Sequence, residues 1–286
     1  MDDIKYWESR KAQQMYEYIE DAEETLKVIE RAYKSASNIL KRDAQAIFDK
    51  FKSKYNLTEK EAENLLSRVR SGKEIQDIKT MLALDPNNQD LRTQLESQAY
   101  GARLSKLANI YENIDAVLIP MIRKIEISQS YAFYERLAKK SYYNGIFDLQ
   151  KYSGYGFKFK TLTEDNIKSV LSERWYGNDF STSIWGNTER LAEEVKHELL
   201  VNLLTGRPLK QAQDSIEQKF GKGQSNARRL MRTESNYIAN QMQLKGYKAS
   251  EVEHYIYLAT LDLRTSKVCR ALDGKTFAVS SAAVGR

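Results

Sequence analysis

The first 55 residues carry an uninterrupted helical period, and this constrains the fold more than any other feature of the chain. Apolar or small residues recur at Met15, Tyr18, Ala22, Leu26, Ile29, Tyr33, Ala36, Leu40, Ala44, Ile47, Phe51 and Tyr55. Eleven steps cover 40 positions, a mean of 3.64, which is the α-helical period and far from the strand period of two. Glycine and proline, the residues that end helices, are absent from this stretch. A helix of that length would reach on the order of 75–80 Å. It is too long to lie along one compact domain, so the sequence predicts that it bends or projects as an arm onto a partner.

With 3 prolines and 13 glycines in 286 residues, the rest of the chain is also set for long helices. Thr58 to Glu61 has capping-box spacing and starts a helix to about Ser71 and Gly72; another runs to Leu84. A turn follows at Asp85, Pro86, Asn87 and Asn88. Further helices are expected over 88–113, 115–128 and 129–150, with Pro120 at or near a kink. Residues 1–150 therefore read as a helical arm or bundle.

Composition shifts at Lys151. The run to Lys160 alternates aromatic with polar residues and holds Gly154 and Gly156, so an extended loop or strand is expected. With Tyr131, Phe133, Tyr134, Tyr142, Tyr143 and Phe147 it makes an aromatic-dense zone. Aromatics interleaved with lysine can stack bases over a cationic groove. They more often pack a core or an interface, and that reading is favoured here. Trp175 and Trp185 flank a polar loop over Tyr176–Ser183, so 151–186 is read as a linker or strand region. From Asn187 a helix bearing Leu191, Val195, Leu199, Leu200 and Leu203 runs to a C-cap at Gly206. The next spans about 208–220, Gly221 to Gln224 form a loop, and a third helix runs from Ser225 or Asn226 to about Lys245, ended by Gly246. His254–Leu261 reads as a strand and Asp262–Ser266 as a break. Thr265 or Ser266 caps a short helix through Leu272, Asp273 and Gly274 form a tight turn, and Lys275–Val279 returns as a strand. The class is mainly α: a long N-terminal helical arm or bundle, a second helical region, and a small C-terminal α/β unit of hairpin plus short helix. The last segment, 187–286, divides into helices at 187–250 and the small β unit at 251–286.

Charge is unevenly spread. Residues 206–250 hold nine Lys/Arg against three acids, an excess equal to the whole chain's net +6; residues 1–30 hold nine acids against four bases. Such a molecule invites two kinds of contact, although solvated helix faces account for a moderate excess equally well. Lys210, Lys219, Lys222, Arg228 and Arg229 are the candidate DNA contacts. No run of about 18 apolar residues exists, so no membrane span is expected. The N-terminus lacks a signal-peptide layout, and the lone Cys269 fits a reducing cytoplasm.

One constellation is more specific. Arg232, Thr233 and Glu234 fall on a helix. About thirty residues on come Asp262, Arg264, Thr265, Cys269, Arg270, Leu272, Asp273, Gly274, Lys275 and Phe277 in fixed spacing. Together with Gly206, Pro208 and the Phe220–Gly221 helix end, this resembles the head-morphogenesis domain of tailed-phage minor head proteins, the Mu F-like group, over roughly residues 187–279. The resemblance implies a virion protein of few copies on the inside of the head at the portal vertex, made in the host cytoplasm. It would act in head assembly and in DNA packaging or ejection, with no catalytic activity and no cofactor. The implied partners are the portal protein, the major capsid or scaffolding protein, and packaged DNA. Relatives commonly continue into a Pro-rich segment with a His-Pro-x-Cys-Arg pattern, which this sequence lacks. Either the natural protein ends or is cleaved near Arg286, or the chain is a fragment. With Cys269, His197 and His254 alone, no metal site is expected.

Arg232 and Glu234, two apart on a helix, face different directions. The expectation is a structural clamp, Glu234 with Arg264 and Arg232 with Asp262, fastening the small β unit to the helix. The rival reading uses Glu234 and Asp262 as acid and base. No nucleophile, phosphate loop or metal-ligand set accompanies them, so catalysis is the weaker reading.

Overall fold

A computed structural model describes residues 3–48, 107–205, 209–259, 261, 263, 265–282 and 284. The chain is mainly α. Helix α1 spans Asp3–Phe48. Helical residues 107–113 lead through a π-helical turn, Ile114–Leu118, into α2, Ile119–Ser153. Helix α3 is Glu164–Leu171, α4 Phe180–Thr205 and α5 Leu209–Ala249. Strand β1, His254–Ile256, pairs antiparallel with β2, Thr276–Ala278, and the short helix α6, Lys267–Leu272, lies between them in sequence. The helices and turn expected between residues 49 and 106, and the Gly206–Pro208 break, lie outside the described residues.

The chain forms two compact units that divide it differently from its compositional segments. The first comprises Met1–Leu26, Ser128–Ser183 and Arg228–Arg286; the second comprises Lys27–Ile127 and Ile184–Ala227.

In α1 the predicted stripe is the buried face: Tyr18, Ala22, Leu26, Ile29, Tyr33, Ala36, Leu40 and Ala44 are all buried. From Tyr18 to Ala44 the apolar face is thus covered by the protein's own chain, and over this length the helix is not a free arm awaiting a partner. Burial of each such side chain contributes about 1.5–3 kcal/mol for the larger residues.

In the first unit, Asp148 of α2 is fully buried and accepts hydrogen bonds from Arg10 Nε at 2.8 Å, Gln14 Nε2 at 2.8 Å and Lys11 Nζ at 3.4 Å. Burial pushes the Lys11 amine down, against the pull of Asp148. Helices α2 and α5 approach closely through glycine. A Cβ on Gly246 would lie 3.0 Å from the Tyr142 carbonyl oxygen, and one on Gly145 3.7 Å from Gln243 Cα. Gly246 therefore does not end α5, which continues to Ala249; it permits the crossing.

In the second unit, Tyr33 donates to the buried Glu126 at 2.7 Å. The Arg123 guanidinium lies 3.4 Å over the Trp185 ring and donates to Thr188 at 3.0 Å. Gly223 sits in the interior of α5, where a Cβ would lie 2.6 Å from Tyr33 Cε1. This corrects the loop expected at 221–224: glycine there serves a close contact rather than a break, and the contact outweighs its poor helix propensity.

Two further corrections have local causes. α4 begins at Phe180 rather than Asn187, because Asp179 caps it: its Oδ1 accepts from the Thr182 backbone N–H at 2.9 Å. The expected pair of helices at 115–128 and 129–150 is one helix preceded by a π turn, with Ile119 N–H bonded to the Ile114 carbonyl five residues back. Pro120 lacks an N–H and crowds the preceding turn, so the irregularity sits just before it. Both strands are three residues long, shorter than expected.

Candidate functional site

Arg232, Thr233 and Glu234 lie near the middle of α5 in the first unit. The helix sends the flanking pair to different neighbours. Glu234 is only 7% exposed and accepts a hydrogen bond from Trp175 Nε1 at 3.2 Å. The Trp175 ring stacks on Tyr237, one turn along α5, with centroids 4.5 Å apart and planes 6° from parallel. Burial pushes the Glu234 carboxyl up from its ordinary range; the indole N–H opposes this and nearby Asp179 adds to it. Burial and a hydrogen bond to Glu173 raise the Tyr237 hydroxyl as well.

Arg232 turns instead to Glu23 of α1, donating to Oε1 at 2.8 Å, while Arg228, one turn earlier, donates to Oε2. Partial burial pushes Glu23 up, but the two guanidiniums outweigh it and hold the carboxyl below its usual range. Thr233 donates to the Arg229 carbonyl of its own helix at 2.9 Å. A shallow, open cavity of about 340 Å³ is lined by Trp175, Arg232, Thr233, Asn236, Tyr237 and Val284. The expected clamp needs Asp262 and Arg264, which lie outside the described residues. In the described structure the partners of Arg232 and Glu234 are Glu23 and Trp175.

The C-terminal motif builds a small fold. Ser266 caps α6 by accepting from the Cys269 N–H at 3.0 Å. Gly274, at φ +71°, makes a turn that glycine favours, and its N–H donates to the Tyr257 carbonyl at 2.8 Å. Asp273 Oδ1 accepts from the Ala259 N–H at 2.8 Å. Lys275 supplies its carbonyl to the Tyr257 N–H at 2.9 Å and its own N–H to the Leu272 carbonyl at 3.0 Å. Phe277 faces Tyr255 across the two strands, with ring centroids 5.8 Å apart. Thr265 precedes the cap, and Cys269 and Arg270 lie on α6 itself. Hydrogen bonds from Ser266 and Tyr257 lower the Cys269 thiol, and the same contact pushes the Tyr257 hydroxyl up to about 12. Among the described residues no three or more His, Cys, Asp or Glu side chains gather as a metal site would require.

Four of the five candidate DNA contacts have carboxylate partners. Lys210 lies 2.6 Å from Asp214, and Lys219 and Lys222 lie 3.6 and 3.0 Å from Glu194. Arg228 is on Glu23, and Arg229 is exposed. No helix among the described residues is long and apolar enough to cross a membrane.

Sequence reasoning missed Glu23, Tyr237 and the role of Trp175. Glu23 is off the apolar stripe of α1, and Trp175 reads as a loop flank. Neither signals a partner more than fifty residues away.

Residues 193–285 match the family described as Phage Mu protein F like protein. The NAD(+)–arginine ADP-ribosyltransferase EFV of Enterococcus faecalis is 24% identical over 205 residues, which is 70% of this chain and 41% of that protein. The chain thus spans about two fifths of that relative's length. No solved structure matches. The match at 193–285 covers Arg232, Thr233 and Glu234 and the whole of the Asp262-to-Phe277 run, so over this C-terminal third the chain is similar to the Phage Mu F-like family.

Proposed function

We propose that this protein is a minor head protein of a tailed phage that docks at the portal vertex on the inner side of the head, acts in head assembly and in DNA packaging or ejection, and does so as a structural component rather than an enzyme. One observation carries the reading. Residues that carry the resemblance are taken up by folding contacts: Glu234 with Trp175, Arg232 with Glu23, the Cys269 N–H with Ser266, and Asp273 with Ala259. A catalytic constellation would instead aim such groups at a common point in a cleft. The portal protein is the proposed primary partner, with the major capsid or scaffolding protein and packaged DNA as secondary ones.

Gene deletion tests this directly. Absent heads, heads without DNA, or filled heads that fail to infect each support it; normal infectious particles overturn it. The portal contact is proposed to use the outer face of α1, where Tyr16 is 63% and Ile19 44% exposed. Tyr16→Ser with Ile19→Ser should weaken co-sedimentation with portal rings while leaving the helical circular dichroism unchanged. The likeness to an arginine ADP-ribosyltransferase gives a further check. Incubation with NAD(+) and an arginine-bearing acceptor should transfer no ADP-ribose, and transfer would end the non-enzymatic reading.

A further inference from the structure

The solvent-facing stripe at the end of α2 and the loop after it take no part in the contacts above. Tyr143, Phe147 and Lys151 recur every four residues, which puts them on one stripe of the helix. Phe147 is 56% exposed, and Tyr143 and Lys151 are exposed as well. The stripe runs about 12 Å along the helix. At Gly154, φ +74°, the chain turns back, and the following loop is held on the same helix. Gln150 donates to the Phe157 carbonyl at 2.8 Å, Tyr142 donates to the Lys160 carbonyl at 2.6 Å, and the Leu162 N–H donates to the Tyr143 hydroxyl at 3.4 Å. Phe159 meets Tyr143 edge-on, with centroids 6.2 Å apart. The loop is pinned, yet its rings stay in solvent: Tyr155 is 78% and Phe159 39% exposed.

Along this stretch of chain charge has one sign, with the acids Glu135 and Glu164 lying beyond it toward Lys139. From Leu149 to Thr163 the chain has Lys151, Lys158 and Lys160 and no carboxylate. All three lysines are exposed, and among the described residues none of them is ion-paired. This differs from the 206–250 segment, whose cations are mostly taken up by Asp214, Glu194 and Glu23.

Exposed rings interleaved with free cations match one ligand chemistry best. Unpaired bases offer π faces whatever their sequence, and the backbone that links them offers regular negative charge. A duplex hides the base faces, and an acidic peptide satisfies the lysines while leaving the rings without partners. We infer that this face of α2 and its following loop binds single-stranded nucleic acid without sequence preference. Bases stack on Tyr143, Phe147 and Phe159, and phosphates lie along Lys151, Lys158 and Lys160. The inference does not depend on the head-protein reading, because it needs only this surface.

Fluorescence anisotropy of a labelled oligothymidylate of about 20 nucleotides, titrated with the full chain, tests it. Three phosphate contacts predict a slope of about −2 in log affinity against log salt. Phe147→Ala and Phe159→Ala should each weaken binding by roughly 5- to 10-fold. Replacing Lys151, Lys158 and Lys160 together by Gln should flatten the salt slope by about 2. That variant alters exposed ends only, so it separates a lost surface from a lost fold. Lys210→Gln should change nothing. Three results would overturn the inference: no binding at about 50 mM salt, affinity unchanged in every aromatic and lysine variant, or loss in Lys210→Gln instead. Preferential capture of an oligoglutamate peptide by the same residues would also overturn it, and would make this a docking face for an acidic protein.

Discussion

Glu126 is a buried carboxyl whose hydrogen-bonding partner is a tyrosine hydroxyl rather than a cation. Desolvation raises it to about 7, and the Tyr33 hydroxyl opposes only part of that rise. The folded state therefore binds this proton more tightly than the unfolded chain, whose carboxyl titrates near its ordinary value. Between the two values the folded state holds more protons, so stability falls as pH rises from about 4.5 to about 7. Above that window the penalty is complete, on the order of 3 kcal/mol at most. Glu126→Gln keeps an acceptor for Tyr33 and removes the charge. It should be more stable than the parent at pH 8 and nearly equal at pH 4.5, as read from urea midpoints at the two pH values. A parent no less stable than the variant at pH 8 would show that Glu126 is not held in an apolar site. Glu234 makes the complementary case. Trp175→Phe preserves the stack on Tyr237 but removes the indole donor, leaving a buried carboxylate oxygen without its partner. A loss of about 1–3 kcal/mol is expected in urea unfolding. No loss would mean that water replaces the indole N–H.

At the scale of elements, α5 contains glycines of opposite meaning. A Cβ on Gly221 meets nothing within 4 Å, whereas one on Gly223 would lie 2.6 Å from the Tyr33 ring and 3.3 Å from Leu191 Cδ2. Gly221→Ala should therefore stabilise the protein by about 0.5–1 kcal/mol through helix propensity alone. Gly223→Ala should destabilise it by about 1–3 kcal/mol, because overpacking against a buried ring outweighs the same propensity gain. Thermal melts of the two variants should move in opposite directions. Parallel shifts would mean that residues 221–223 are not packed as an interior helical turn. The same reasoning covers the end of α5, where Gly246 sits against the Tyr142 carbonyl rather than acting as a C-cap.

At the scale of the molecule, each compact unit is assembled from segments far apart in the chain. In the first unit, the family motif on α5 meets Glu23, some 209 residues earlier, and Trp175, 59 residues earlier. A fragment of residues 187–286 lacks both partners and the α2 face that receives Gly246. It should show reduced helicity and rapid trypsin cleavage, while the full chain resists. A fragment with sharp, cooperative unfolding would establish the C-terminal segment as a self-sufficient domain.

Local physics made part of this legible. Every residue of the 3.64-residue stripe from Tyr18 to Ala44 is buried, since amphipathic spacing is a property of the segment itself. Ser266 and Gly274 announce the cap and turn of the C-terminal unit for the same reason: the Ser266 cap closes within three residues and Gly274 takes a positive φ. Tertiary contact decided the rest. Gly221, Gly223 and Gly246 look alike in sequence, and only the atoms across from each show whether the absent Cβ is a defect or a requirement. Arg232 and Glu234 announced that they face apart, but their partners come from segments with no pattern linking them to α5. The aromatic zone around 151–160 reads as core or interface from composition. Its helical members Phe133, Tyr134 and Tyr142 are buried, while Tyr155 and Phe159 stand in solvent on a loop whose fixing polar contacts are made by its backbone.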